Sequence, residues 1–442
     1  MKIAIIGSGG AGISAAWLLD KDNDVTLYER GATLGGHAHT VAVERDGATY
    51  NIDDGFSWFS DALYPSFLRL LELLGVPTRI IPMSLAVLRR NRNSTHVLPP
   101  TRLGALLKTV ADVPWLIDLL RFNRVIDRTA TIVRGGDRTI SLGAFIERHG
   151  YREPFVSEVL RPILGGIWGA PYDRVDELAI YTLAKYLVFH RPSGLTRYPW
   201  HVVRGGASSY IEAAASGLRG QILRGTAVTM LERIATGGWT VVDSRGERRS
   251  FDHVVLAAGA RDAARILTDV PGLDATRQIL TSFEYYTVRI ATHGDRWFMP
   301  SNPKDWCVAN LNWDGRLANL TVWSGLPDNA PIFTSYVGER EPQRIDHVST
   351  FHLPLPTPNH YRAQAQLAAR QGMDDLSFAG DWTHDFGSHE DAIVSAMQVC
   401  ERISPNSSRL AALRTPRVTP AMQPLPARTM APSAWEQACT AR

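Results

Sequence analysis

A short apolar run that breaks into glycines opens the chain: Lys2-Ile3-Ala4-Ile5-Ile6, then Gly7-Ser8-Gly9-Gly10-Ala11-Gly12. Such a run, too short for a helix, reads as a strand buried on both faces of a parallel sheet. Glycines placed directly after it have separate uses. Gly7 allows a tight turn, Gly9 lets the backbone approach a pyrophosphate, and Gly12 lets the next helix pack close on the strand. Gly10 and Ala11 start a helix continuing over 13–19, whose dipole, about half a positive charge, faces the phosphates. A second strand, 25–28, ends in Glu29, about twenty residues on, where a carboxylate meets ribose hydroxyls and repels a 2′-phosphate. The same stretch is apolar enough to imitate a signal peptide or membrane helix. Its charged flank is only Lys2, however, and four glycines interrupt the run, so neither is expected.

After Glu29 come Arg30-Gly31-Ala32-Thr33-Leu34-Gly35-Gly36-His37-Ala38-His39-Thr40, with paired glycines that let a loop run close to a cofactor. Near the other end stand Phe378-Ala379-Gly380-Asp381-Trp382 and Gly387-Ser388-His389-Glu390-Asp391-Ala392. With an acidic residue trailed by Gly-Gly, the sequence resembles the flavin-containing amine oxidase superfamily. More narrowly, Asp53-Asp54-Gly55-Phe56, Tyr64-Pro65-Ser66-Phe67 and Val203-Arg204-Gly205-Gly206-Ala207 look like a bacterial branch of predicted NAD/FAD-binding oxidoreductases. The resemblance spans roughly residues 1–403 and implies FAD, held at the adenine half by the first signature and at the flavin half by the second. By the same resemblance, Arg30, Gly35, Gly36 and His37 line the cofactor, and Val228 meets adenine through its backbone. Gly380, Asp381, Glu390, Asp391 and Ala392 reach the flavin end, with Asp381 accepting from a ribityl hydroxyl.

The implied fold is α/β, a discontinuous Rossmann-type FAD-binding domain with a mixed α+β substrate domain. We assign 1–80, 201–270 and 370–403 to the first and 81–200 and 271–369 to the second. At 442 residues the chain exceeds one core. Region 81–200 is predicted to be largely helical, over 103–110, 115–122, 142–149, 155–164 and 179–189. Region 277–358 reads as aromatic-rich strands, an antiparallel sheet roofing the flavin. Ser388-His389-Glu390-Asp391 fits a capping box opening a helix over 389–402, whose positive end would stabilise reduced flavin. From Ser404 on, five arginines face one acid, Glu436, among six prolines, so 404–442 is expected to be a disordered basic tail. The body shows no basic stripe interleaved with aromatics, and no nucleic-acid partner is expected.

Cys307, Cys400 and Cys439 match no metal spacing and suit free thiols in a cytoplasm. None falls between 351 and 376, where some relatives attach their flavin, so FAD is expected to be non-covalent. Beside the second signature, His384, Trp382 and Asp385 are the candidates for the reactive face. Trp382 and Phe386 stand where amine oxidases often place a tyrosine pair. Twelve tryptophans, among them Trp168, Trp200, Trp297, Trp306, Trp313 and Trp323, suit an apolar or aromatic small-molecule substrate. The reading is an FAD-dependent oxidoreductase removing hydride from carbon, by C–C desaturation or C–N oxidation, with O2 or an unknown electron acceptor. Alternatives are a redox-neutral double-bond isomerase and a catalytically idle flavin-binding protein.

Overall fold

The computed structural model describes residues 1–100, 102–190, 199–316, 318–323 and 329–417. One parallel sheet brings both signatures together, in the order Gln221–Leu223, Asp24–Tyr28, Lys2–Ile6, His253–Leu256, Leu376–Phe378. The opening strand pairs on both sides, Ile5 with Leu27 and with Val255. Leu256 then pairs with Phe378, so the last strand lies one place away. Helix Gly10–Leu19 is buried at every position, because it lies between this sheet and helix His389–Ile403. That double burial explains why its sequence is apolar all round.

The substrate half is a seven-stranded sheet in the order Ile345–Pro354, Tyr285–His293, Phe333–Tyr336, Ala318–Val322, Ala309–Trp313, Leu85–Arg89, Ser94–Leu98. Its first five strands are the antiparallel roof expected. Hairpin 85–98 corrects the largely helical reading of that region: it joins the sheet through parallel pairing of Ala309 with Leu85. Leu85 to Leu88 is too short an apolar run to separate strand from helix by periodicity. Helices Leu103–Ala111, Val113–Gly135, Leu142–His149, Arg161–Trp168 and Ile180–Phe189 form the helical layer. Trp115, Phe122, Phe145, Leu160 and Leu183 pack in one core with Val288, Ile290 and Leu311 of the sheet.

The tail expected to be disordered from Ser404 is folded at its start. Ser407 caps helix Ser408–Arg414 through the Leu410 amide, and Leu410 and Leu413 enter the core of the nucleotide half. Arg417 bonds Asp61 at 3.0 Å and Glu72 at 2.5 Å. A single amphipathic turn pair suffices where a core is ready to receive it, and the prolines farther on mask the signal in composition. Residues 418–442, with Cys439, lie outside the described residues.

Candidate functional site

The first signature forms a cradle that side chains would fill. Gly7 has φ +105°, and a Cβ there would stand 2.8 Å from Ala257 O. A Cβ on Gly12 would stand 1.8 Å from Gly7 O, which no rearrangement of a side chain relieves. At Gly9 the nearest atom is Gly35 O at 4.0 Å, so its outer face is open. Gly35 (φ +120°) bridges Gly9, and Gly36 (φ +56°) passes close to it. The helix beginning at Gly10 carries no side-chain cap, and Ala11 is buried in its first turn. Glu29 is pinned at the strand end: Ser8 donates its amide (3.0 Å) and hydroxyl (2.5 Å) to Oε2, and Gly31 N donates to Oε1 at 2.7 Å. Arg30 points to the rim, its guanidinium 3.2 Å from Asp262. Val228 begins a strand two residues beyond Thr226, whose amide donates to Glu29 O at 2.8 Å.

The second signature is built with equal economy. Gly380 has φ +154°, and a Cβ there would lie 2.4 Å from Trp382 Nε1. Its amide donates to Ser395 Oγ at 2.9 Å. Asp381 accepts from the Trp382 amide at 2.8 Å. Burial pushes the Asp381 carboxyl up and the His37 imidazole down, while each one's charge favours the other's. This links His37 of the first signature to Asp381 of the second. Helix His389–Ile403 opens with the expected capping box. Ser388 donates amide and hydroxyl to Asp391 Oδ2, both at 2.7 Å, and Asp391 N returns to Ser388 Oγ at 3.3 Å.

The two helix starts meet. A Cβ on Gly10 would lie 2.7 Å from His389 Cε1. His389 stacks on Phe56 at 4.0 Å and bonds Tyr210 through Nε2 at 2.7 Å. Burial drives His389 down to about 3 and Tyr210 well above its ordinary value. Both are therefore neutral near pH 7 and share this hydrogen bond. Two positive helix ends, an open glycine face and carboxylates at the far strand ends fit an elongated dinucleotide with a negative middle.

Several predicted site residues have other employment. Glu390 caps helix Pro65–Leu73: its two oxygens accept from Ser66 N and Phe67 N, each at 2.8 Å. It braces the site and offers no free carboxylate to a cofactor. Asp391 is spent in the capping box, with Ala392 buried just behind it. Trp382 is a core residue, 2% exposed, edge-on to Phe283 at 5.0 Å, with its indole N–H donating to Ala258 O at 3.2 Å. The apolar layer under the last strand holds it away from a reactive face. Asp385 (φ +38°) accepts from Tyr181 Oη at 2.7 Å, Arg138 at 3.0 Å and Lys185 Nζ. Burial works against its charge, but Lys185, Tyr181 and Arg138 prevail and hold the carboxyl below its usual value. It is an anchor for helix Ile180–Phe189. His384 is half-buried, and burial lowers its basicity. Gln398 Nε2 lies 3.3 Å from its Nδ1.

Lys185, Tyr181, Arg138, Tyr210, His389 and Phe56 were not found by sequence reasoning. One signal existed for Lys185, the lone charge in the apolar helix Ile-Tyr-Thr-Leu-Ala-Lys-Tyr-Leu-Val-Phe.

Beside His37, whose carbonyl accepts from Phe56 N at 2.7 Å, a small recess of about 50 Å³ opens between loop residues Asp54, Gly55, Ser57 and Trp58 and the large sheet. Ile167, Ile290, Leu320, Val322, Thr334 and Tyr336 complete its wall. Asp54 is held by His39 Nδ1 at 2.6 Å and Ser349 Oγ at 2.6 Å. The described residues contain no cluster suited to a metal ion and no helix long and apolar enough to cross a membrane.

A glycine-lined parallel sheet with two converging helix starts, roofed by a second sheet, defines the class of two-domain FAD-dependent flavoenzymes. The family model of flavin containing amine oxidoreductases matches residues 11–347, and the chain belongs to that family. It is accordingly an FAD-dependent oxidoreductase. Among solved structures, wild-type putrescine oxidase bound to putrescine is similar, at 13% identity and TM-score 0.67, over 91% of this chain and 99% of that one. Cyclohexylamine oxidase from Brevibacterium oxydans IH-35A follows, at 17% identity and TM-score 0.66, over 91% and 99%. A CLA-producing fatty acid isomerase from P. acnes is 15% identical, with TM-score 0.65, over 91% and 98%. A search of curated protein sequences finds no match.

Proposed function

We propose that this enzyme removes hydride from carbon of a mostly apolar small molecule, by C–C desaturation or C–N oxidation, and passes the electrons to O2 or another acceptor. The recess carries this reading: five of its ten lining residues, Trp58, Ile167, Ile290, Leu320 and Val322, are large and apolar. Its one carboxylate, Asp54, already has partners on both oxygens. Bound FAD supplies the hydride acceptor, so the protein's tasks are orientation, exclusion of water and handling of protons. Burial raises the Tyr336 phenol to about 12, so it remains a donor at neutral pH. Gln398 Nε2, 3.3 Å from the His384 Nδ1, holds that ring in place. Trp382 and Phe386, standing where amine oxidases often have tyrosines, are both buried, and the reading leaves C–C desaturation and C–N oxidation side by side. Cys307 and Cys400 are buried too, in support of non-covalent FAD in a cytoplasmic enzyme.

The isomerase reading draws support from the shared fold of the fatty acid isomerase, and one experiment separates the two. Mixing holoenzyme without oxygen against a panel of amines and unsaturated fatty acids should bleach the flavin band once per site with the true substrate. Many turnovers with the band still oxidised would assign an isomerase. His384→Ala should slow bleaching less than about tenfold. A loss near a hundredfold would instead mark His384 as the general base.

A further inference from the structure

Helices Leu103–Ala111 and Val113–Gly135 form a consecutive pair on the surface of the substrate half, and both are apolar on the face they turn to water. Leu103, Leu106, Leu107 and Val110 are 70%, 45%, 59% and 53% exposed, and Val113, Ile117 and Leu120 are 56%, 44% and 55% exposed. A soluble surface helix normally keeps its apolar residues on the core side. The longer helix has that side as well: Trp115, Phe122, Val125, Thr129 and Val133 are buried. At about 100° per residue, these buried positions centre on the side opposite Val113, Ile117 and Leu120. The second apolar stripe is therefore additional to the one that folding uses.

Charge extends the stripe in the same direction. Arg121, Arg124 and Arg128 continue the Val113-Ile117-Leu120 face at steps of four, three and four residues, and all are exposed. Over 102–135 six basic residues (Arg102, Lys108, Arg121, Arg124, Arg128, Arg134) meet three acids (Asp112, Asp118, Asp127). Some of that charge is internally engaged, with Arg102 and Lys108 sharing Asp305 and Arg121 lying 3.2 Å from Asp118. An apolar stripe running into arginines on one face suits the interface of an anionic bilayer, with side chains at the acyl boundary and guanidinium groups among the phosphates. A second copy of the chain suits it less well, because a two-fold contact would set this net-basic patch, six basic residues against three acids, on itself.

We propose that this helix pair docks the enzyme on the surface of an anionic phospholipid bilayer without crossing it. The surface belongs to the same layer whose inner side packs on the substrate sheet. The inference rests on this surface and stands whether or not the proposed reaction does.

The test is sedimentation of full-length holoenzyme with vesicles of phosphatidylcholine alone or with about 30% phosphatidylglycerol, a fraction chosen to give the charged surface that polybasic segments need. Most of the protein should pellet with the anionic vesicles and little with neutral ones. Leu107→Glu/Ile117→Glu, both at exposed positions, should cut partition at least tenfold while flavin content and melting temperature stay unchanged. Arg121→Gln/Arg124→Gln should weaken binding to anionic vesicles only. A chain ending at Arg417 should still bind, and loss of binding there would assign the lipid contact to the tail and overturn the proposal. Equal partition of Leu107→Glu/Ile117→Glu and wild type would overturn it too. So would a wild-type dimer by light scattering that this variant dissociates, with no vesicle binding by either, which would make the stripe a contact between copies.

Discussion

The nucleotide half and the substrate half are assembled on different rules. In the nucleotide half, backbone touches backbone: Gly12 lies against Gly7 O, Gly7 against Ala257 O, Gly9 against Gly35. In the substrate half, side chains do the same work: Lys185, Arg138 and Tyr181 tie it to Asp385 of the nucleotide half, and Trp115, Phe122 and Phe145 fill the space under the sheet. A backbone contact allows one residue type at one position. A side-chain contact can be met by many sequences, which is why the first half announces itself in a string of letters and the second does not.

The comparison breaks most sharply at Gly12. A valine there would bring its Cβ to 1.8 Å from Gly7 O, backbone against backbone. Gly12→Val should leave no flavin-loaded protein, whereas Leu160→Val, an equally buried position of the substrate half, should cost about 1 kcal/mol. Recovery of yellow Gly12→Val protein with ordinary melting would show that the cradle tolerates what the geometry forbids.

Next in size is the anchor of the substrate half. Asp385→Ala strips three donors of their acceptor and leaves the Lys185 ammonium, with 11% side-chain exposure, against the Phe386 ring at 4.3 Å. Removing one partner of a buried pair costs about 3–5 kcal/mol, so the melting temperature should fall by several degrees. Lys185→Met/Asp385→Ala should recover much of that loss, because no charge is then buried alone. A double variant worse than the single one would refute the account.

That contrast explains what was legible in advance. The Gly7-to-Gly12 turn, Glu29, the Ser388–Asp391 box and the 389–403 helix could be read because each obeys a local rule of turn, charge or cap. Glu390 was misread because its partners, the Ser66 and Phe67 amides, are neighbours only in space. Trp382 was misread because adjacency in sequence to Asp381 says nothing of side, and its ring turns into the core. Hairpin 85–98 stayed hidden because its partner strand, Ala309–Trp313, lies far along the chain.

Smaller effects sharpen the comparison within the nucleotide half. Glu29 and Asp381 mark its two ends, and a charge-assisted hydrogen bond contributes about 1.5–3 kcal/mol. Either alanine variant should weaken FAD binding by about one to two decades in equilibrium titration. Glu29→Ala should lose more, because it also releases Ser8 and Gly31 from the loop that carries Gly9. Unchanged affinity in both variants would detach the signatures from the cofactor.

The smallest effect sits inside the nucleotide half, where the loop after the first signature meets the return strand. Asp53, at the end of strand Ala48–Asp53, accepts from Thr40 Oγ1 at 2.6 Å and Ala207 N at 2.8 Å. Burial nevertheless raises its carboxyl to about 7, and the neighbouring Asp54 adds to the rise. An acid with a raised folded-state pKa binds its proton more tightly in the folded chain than in the unfolded one. Its contribution is complete below about 4, the unfolded value, and is lost as pH climbs through about 7. Wild type should therefore lose melting temperature between about pH 4 and 7 relative to Asp53→Asn, which stays neutral throughout, by a few degrees at most. The two curves should converge toward about pH 4 and below, where Asp53 is protonated in the unfolded chain as well. Parallel curves over that range would mean that Thr40 and Ala207 already compensate the buried charge. This corner would then be governed by one hydroxyl and one backbone amide aimed at a fixed carboxylate, and not by opposing charges as the Asp385 anchor is.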